Sequence, residues 1–218
     1  GTLSWAQGPY ALSARTLKWQ TLQIPTAIIT PPYDRLPQFT ARYARSNVGG
    51  MDFVLEGDAT QFSGNRALTL QPNAARVFSK AQVSYPIQTP GWFFTPKMQL
   101  HTTAYQFDQA LSDGRTAATR SVPSFSLDSG LVLERDASLL GRNFVQTLEP
   151  RAFYVYTPYR SQNLLPKYDT AATDFNFATV YTENAFIGND RISDNNLLTL
   201  GVTSRLINPD PCAEAVRL

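Results

Sequence analysis

Between Phe144 and Arg160 the chain reads FVQTLEPRAFYVYTPYR, and its residues sort by parity into two unlike sets. Leu148, Ala152, Tyr154 and Tyr156 fall on one side; Thr147, Glu149 and Arg151 fall on the other, which turns apolar at Phe153 and Val155. Side chains of a β-strand alternate between two faces, so charged groups on one side and aliphatic or aromatic groups on the other require two different solvents. A soluble sheet with one wet face meets that requirement. So does a membrane barrel with a wet inside and a lipid-covered outside, with tyrosines near the strand end at headgroup height.

The same period of two recurs along the chain. Gly1 to Gln7 reads as the tail of a strand ending at a Gly8-Pro9 turn. In Tyr10 to Gln23, Leu17, Trp19 and Thr21 oppose Thr16, Lys18 and Gln20. From Gln38 to Ser46, Phe39, Ala41 and Tyr43 alternate with Thr40 and Arg42; from Met51 to Phe62, Phe53, Leu55 and Ala59 oppose Glu56, Asp58 and Thr60. Val77, Ala81, Val83 and Tyr85 alternate with Arg76, Lys80, Gln82 and Ser84. Trp92 to Phe107 sets Phe94, Met98, Leu100 and Ala104 against Lys97, Gln99, His101, Thr103 and Tyr105. Ser124 to Arg135 sets Phe125, Leu127, Leu131 and Leu133 against Ser126, Asp128 and Glu134. A last hairpin from Asn195 to Leu206 turns at Asn208-Pro209-Asp210-Pro211 into a final strand.

The connections alternate as well. Those after Gln23, Phe62, Phe107 and Arg160 are long, and those after Gln7, Ser46, Pro86, Arg135 and Leu206 are shorter. The prolines of IPTAIITPPYDRLPQ mark a loop rather than a helix or a central strand. Ser63 to Asn73 and Gln109 to Arg120 read as polar loops, Pro86 to Gly91 as a tight hairpin closure, and Asp136 to Asn143 as a medium connection. Ser161 to Arg191 is the longest loop, with a short ordered piece expected around Phe175 to Tyr181. Hairpin ends that differ systematically on two sides are the layout of an outer-membrane barrel, whereas sandwiches mix hairpins with cross-sheet connections. The fold expected is therefore all-β, an antiparallel up-and-down meander of about nine or ten strands forming part of a large transmembrane β-barrel.

Composition narrows the function classes. No apolar run approaches the roughly 18 residues that a transmembrane helix needs, which excludes a helical membrane protein. The 19 basic and 17 acidic residues nearly cancel, with no basic block, so nucleic acid is not the expected partner. The 13 Phe and 10 Tyr suit strands. Cys212 is the only cysteine and forms no internal disulfide. Gly1 opens no signal peptide and AEAVRL breaks off within a strand pattern, so an excised fragment is expected.

Five stretches together resemble the barrel domain of the LPS-assembly protein LptD family, also called organic solvent tolerance proteins. They are PPYDRLPQ (Pro31 to Gln38), GWFFTPKMQLHTTAY (Gly91 to Tyr105), PSFSLDSGLVLER (Pro123 to Arg135), QTLEPRAFYVYTPYRSQ (Gln146 to Gln162) and GNDRISDNNLLTLGVTSRLI (Gly188 to Ile207). The resemblance spans most of the chain and implies a translocon that inserts lipopolysaccharide into the outer leaflet of the Gram-negative cell outer membrane. Its barrel is on the order of 26 strands. It implies an LptE-type lipoprotein plug, lipopolysaccharide and membrane lipid as partners, and a periplasmic LPS bridge that delivers lipid to an N-terminal jellyroll. Residues 1–218 then correspond to a partial barrel domain, without the jellyroll, the terminal barrel strands whose seam is the lateral gate, or the family's adjacent cysteine pair; Cys212 stands in a turn and does not match it.

No catalytic residue, cofactor or metal site is expected. The Gly-x-Ser-x-Gly elbow and the glycine-rich phosphate loop are absent, and Ser193-Asp194-Asn195 lacks the Ser-x-x-Lys and Lys-Thr-Gly that would make it a β-lactamase element. His101 reads as a solvated residue of the polar face. Asp169, Asp174, Glu183, Asp190 and Asp194 are better read as a solvated loop than as a cation site, since the ligand order of an EF-hand is missing. If the polar face is a barrel interior, Arg42, Glu56, Lys97, His101, Glu149, Arg151 and Arg205 line it, with Glu149 pairing Arg151 or Lys97 pairing Glu134. Because the family's long loops fold over or into a plugged lumen, Tyr159, Arg160, Ser161 and Gln162 are expected to touch the partner, with Tyr33, Asp34 and Arg35 in the proline-rich segment as a second contact. A charge at Ala152 is expected to cost about 2 to 4 kcal/mol at the bilayer midplane, and one at Thr147 little.

Overall fold

The computed structural model describes residues 1–218 except 24, 25, 27, 140, 175, 178, 210–212 and 218, and within strands not the side chains of 139 and 213. In chain order the elements are β1 (Thr2–Gln7), β2 (Tyr10–Leu17), β3 (Asp34–Val48), β4 (Met51–Ser63), α1 (Arg66–Thr69), β5 (Ala74–Ser84), β6 (Ile87–Gln88) and β7 (Trp92–Phe107). They continue as β8 (Ala117–Leu131), β9 (Leu133–Leu139), β10 (Arg142–Thr157), β11 (Ala171–Ala172), β12 (Phe186–Ile187), β13 (Asn195–Asn208) and β14 (Ala213–Arg217). Twelve strands make one antiparallel sheet along the path β1-β2-β3-β4-β5-β7-β8-β10-β13-β14, with β6 on β7 and β9 on β10; β11 and β12 form a separate ribbon. This is an open meander without crossovers, consistent with part of a barrel. β7 and β10 each hold 16 residues, ample for a tilted membrane crossing of roughly nine to eleven.

Cross-strand register sorts the residues into two faces. Arg42, Glu56, Lys80, His101 and Val122 stand in one row, Thr40, Asp58, Phe78, Thr103 and Arg120 in the next, and Gln38, Thr60, Arg76, Tyr105 and Ala118 in a third. The opposite face carries Leu3, Ala14, Phe39, Ala59, Val77 and Ala104 in one row, and Tyr10, Tyr43, Leu55, Ala81 and Leu100 in another. Farther along it come Ala152 beside Leu200 and Tyr154 beside Leu198. Nothing among the described residues covers this apolar face: Val77 is 58% exposed and Leu200 71%. The aliphatic rows therefore do not meet one another across a dry interior, as they would in a sandwich. Tyr10, Tyr85 and Trp92 are exposed near the ends joined by short connections, and Trp19, Tyr156 and Tyr159 near the ends joined by long ones. Amphipathic rings at both borders of an apolar band suit two water–lipid interfaces.

Several boundaries differ from those read in the sequence. Asp34 to Gln38 belongs to β3 rather than to the loop, because the register breaks between Arg35 and Gln38 and Pro37, which has no N–H to give, falls in that break. The stretch after β4 contains the helical turn α1, whose Asn65 cap accepts from the Ala67 N–H. The Pro86 to Gly91 closure contains β6. Strand begins at Ala117, inside the expected loop, and Ser124 to Arg135 is interrupted at Val132, whose N–H bonds the Gly91 carbonyl while β9 pairs with β10. β9 and β10 leave only residues 140 and 141 between them, so the expected Asp136 to Asn143 connection is mostly strand. In the longest loop Thr179 and Val180 donate to the Asn176 carbonyl, forming turns; Phe175 lies outside the described residues, as do Cys212 and the Asp210-Pro211 step.

Candidate functional site

The longest connection, residues 158–194, lies on the polar face and is joined to it at three places. The first is built around Arg76. Strand parity aims this side chain to the same side as Thr60 and Tyr105, and the returning loop covers it until it is 1% exposed. Its Nη1 donates to Asp169 Oδ1 at 2.7 Å and to Asp190 Oδ1 at 2.8 Å; its Nη2 donates to Asp169 Oδ2 at 2.7 Å and to Asp58 Oδ1 at 3.0 Å. A planar guanidinium matches the Asp169 carboxylate through two parallel bonds, a geometry that an ammonium does not offer. Asp190 Oδ1 also accepts from the Tyr105 hydroxyl at 3.0 Å, while its Oδ2 accepts the N–H groups of Tyr168 at 2.6 Å and Asp169 at 2.8 Å. Arg120, two strands away on β8, donates to Gln162 Oε1, Thr103 Oγ1 and the backbone carbonyls of Asn189 and Asp190. Both limbs of the loop are thus held by wall arginines.

Electrostatics distinguish the two loop carboxylates. Burial pushes Asp169 upward, but the bonds and charge of Arg76 outweigh it and hold the group at about 2. Asp190 is raised, first by burial and then by the Asp169 charge beside it. Gly188 makes the close approach possible: at φ +78 a Cβ would stand 2.2 Å from the Asp169 carbonyl oxygen. An aromatic cluster closes the same end of the sheet, with Phe62 and Tyr168 stacked at 4.7 Å and Tyr33, Tyr105 and Phe107 around them.

At the second place, Glu183 accepts from Lys97 Nζ at 2.8 Å and from the Ser126 hydroxyl at 3.0 Å. Its carboxyl, which burial alone would raise, is lowered by Lys97. At the third, the Tyr181 ring lies 4.2 Å from the Arg151 guanidinium carbon and its hydroxyl rests over Gly201, where a Cβ would collide with it. Arg151 is in turn held by two bonds to Asp128, at 2.8 and 2.7 Å.

The residues expected on the polar face are placed as follows. Arg42 and Lys80 flank Glu56 in one row of ion pairs. Arg151 pairs with Asp128 and Arg205 with Glu149, which replaces the expected Glu149–Arg151 pair. Lys97 pairs with Glu183 rather than Glu134. In each case a group from a neighbouring strand or the overlying loop is better placed than the expected partner. His101 is 7% exposed, its Nε2 within 3.1 Å of Gln99 Oε1, and so is not solvated. Thr147 is also buried and donates to Glu149. Asp169 and Asp190 are not a solvated loop either: Arg76 occupies the centre of that cluster, and no group of residues with metal-binding geometry occurs among the described residues. Of the expected partner contacts, Tyr159, Arg160 and Ser161 are exposed, but Gln162 is buried between Arg120 and Ile192. Tyr33 is buried in the aromatic cluster, while Asp34 accepts from the Trp19 N–H and Arg35 lies near Gln38. The sequence carries no local mark of a site at Arg76, Arg120 or Tyr181. Parity places Arg76 on the polar face, but no local signal links it to Asp169, 93 residues away.

Comparison with known proteins places this geometry in a family. LPS transport system D, the LptD family, matches residues 1–218. An LPS-assembly protein LptD from Polaromonas sp. (strain JS666) is 63% identical over 100% of this chain, and one from Albidiferax ferrireducens is 62% identical over 99%. A more distant relative of the same name from Ralstonia nicotianae is 45% identical over the whole chain. The chain spans 27% of the length of each of these curated relatives. With the match extending from the first residue to the last, the chain belongs to the LptD family.

Proposed function

We propose that this chain is a wall section of an outer-membrane barrel that takes part in assembling lipopolysaccharide into the outer leaflet of the Gram-negative outer membrane. The apolar face meets membrane lipid and the polar face looks into the barrel. The observation that carries this reading is the inverted burial of the sheet in a chain matched end to end by LPS-assembly relatives: aliphatic rows stand open while charged groups are covered. A wet interior and an oily exterior require that inversion. The working parts are surfaces and a packed loop, so the role is passage and positioning rather than bond chemistry.

The partners proposed are a lipoprotein plug of the LptE type, touching the exposed start of the long loop at Tyr159, Arg160 and Ser161, and a periplasmic bridge that reaches the barrel through another part of the full-length protein. Photocrosslinkers at these three positions in the full-length protein should capture the plug; capture only of solvent or lipid would remove that contact. Function is tested by reconstituting the full-length protein with its plug in vesicles. Appearance of lipopolysaccharide on the receiving face is expected. Solute leakage with no lipopolysaccharide insertion would replace the export role with that of a passive channel.

A further inference from the structure

We propose that the short-connection border of the apolar face is a binding site for an anionic glycerophospholipid, with its phosphodiester on Arg135 and an acyl chain along Leu133 and Leu148. The site deepens the reading of that face as the lipid-facing wall, and it rests on that reading. Register puts four charged residues of the sheet on the apolar side. Asp34 stands at the long-connection end, where its carboxylate accepts the Trp19 N–H. The other three are arginines at the opposite end: Arg45, beside Phe53 near the turn from β3 to β4, and Arg135 and Arg142, which flank the turn from β9 to β10. All three are exposed, and none has a carboxylate partner among the described residues. On the polar face, by contrast, Arg76, Arg151 and Arg205 are paired. Unpaired cations at the edge of an apolar band suit an anion that brings its own apolar part, and a border without carboxylates favours a net negative headgroup over a zwitterionic one. Short connections face the periplasm in outer-membrane barrels, so the lipid is one of the inner leaflet.

Arg135 is the built part of this border. Its Nε donates to Gln146 Oε1 at 2.8 Å; Gln146 Nε2 donates to Ser204 Oγ at 3.2 Å, and that hydroxyl donates to the Thr147 carbonyl at 2.9 Å. The amide thus fixes the guanidinium plane against β10 and β13, while both Nη atoms remain without an acceptor among the described residues. Such a fork matches two phosphate oxygens. A groove of about 390 Å³ beside it is lined by Leu133, Arg135, Gln146 and Leu148, together with Glu134, whose register with Thr147 turns its carboxylate to the other face. Leu133 and Leu148 stand one row closer to the middle of the sheet and are 51% and 43% exposed, open to an acyl chain. Depth agrees with a headgroup at Arg135. Gln146, its neighbour, and Tyr156 lie ten residues apart on β10. That separation is roughly 33 Å of strand and, at a tilt of roughly 40°, about 25 Å of height, which is the height of the apolar band of a membrane barrel.

The test uses the full-length protein with its plug in vesicles, carrying a bimane fluorophore on Leu131→Cys or on Leu198→Cys and compared with the same protein lacking the added cysteine. Both leucines are exposed on the apolar face; Leu131 is two residues from Leu133, whereas Leu198 lies near the opposite border. Bromine on an acyl chain quenches the fluorophore it touches. At residue 131, brominated phosphatidylglycerol should be preferred over brominated phosphatidylcholine by roughly threefold, the scale of one partly exposed ion pair. At residue 198 the two lipids should quench equally. Arg135→Gln should remove the preference at residue 131, and Gln146→Leu, which frees the guanidinium from its amide, should reduce it. Equal quenching at residue 131, a preference of the same size at both positions, or a preference unchanged in the assembled variants would overturn the site. Loss of the preference in inorganic phosphate, but not in sodium chloride of equal ionic strength, would overturn the lipid as its occupant. Absence of quenching by either lipid at both positions would remove the lipid-facing wall itself, so the site and the reading beneath it fail by different results.

Discussion

Arg76 and Val77 are neighbours in β5, yet the arginine is 1% exposed and the valine 58%. In a water-soluble sheet those values would be reversed. The contrast extends across the sheet: the side with Asp58, Arg76, Thr103 and Arg120 is covered by the chain's own loop, and the side with Leu3, Phe39, Val77 and Leu200 is covered by nothing among the described residues. One side therefore satisfies its charges by pairing, whereas the other leaves apolar groups open, as the proposed lipid-facing wall would. The difference predicts which substitutions each side will tolerate.

The largest effect is expected at Arg76. Arg76→Met leaves Asp58, Asp169 and Asp190 without their shared cation and should lower the stability of the assembled protein by about 3 to 5 kcal/mol, read from urea unfolding in detergent. A loss no greater than that of an exposed pair would break the contrast between the faces. Next comes the apolar side. Ala152→Arg should cost about 2 to 4 kcal/mol near the bilayer midplane in membrane refolding. Thr147 is a poor control because it is buried against Glu149, so the comparison belongs at Thr203, which is partly exposed on the polar face opposite Glu149. Thr203→Lys should be nearly neutral, and equal costs at residues 152 and 203 would refute the assignment of faces.

Acid provides a third, smaller test. Asp169 lies at about 2 against an ordinary 3.8, so its stabilisation of the seated loop is complete above the ordinary value and is lost as pH falls through about 2. Asp190 runs the other way: being raised, its anionic form costs stability at neutral pH, and that cost is relieved as pH falls through its folded-state value. Acid unfolding in detergent, followed by tryptophan and tyrosine fluorescence, should therefore begin below pH 4 rather than above it. The smallest effect is expected at Lys97→Met, where both partners retain some exposure and solvent screens the pair; roughly 1 kcal/mol or less is expected in the same urea assay.

Much of the wall was legible in the sequence because a strand's period is local. Leu148, Ala152, Tyr154 and Tyr156 fall on one face and Thr147, Glu149 and Arg151 on the other, as their parity requires. Boundaries were less legible where one residue type has two uses. Pro37 marks a loop in isolation but fits β3 at a register break, and the residues around Val132 read as one strand although the chain there leaves β8 and begins β9. The ion pairs were least legible. Glu149 and Arg151 share a face, but the pair that forms depends on which strand stands beside them, and Arg205 and Asp128 take the two groups separately.

The sequence by itself determined that the strands have an apolar side and a polar side, and that long and short connections alternate. Those properties depend only on residues two apart and on the spacing of turns. Only the tertiary structure decided that residues 158–194 fold back over the wall and that Asp169 and Asp190 meet Arg76, 93 and 114 residues away. A contact across that distance leaves no periodic trace. It exists because a buried guanidinium on the wall has to find carboxylates, and the loop long enough to reach it carries them.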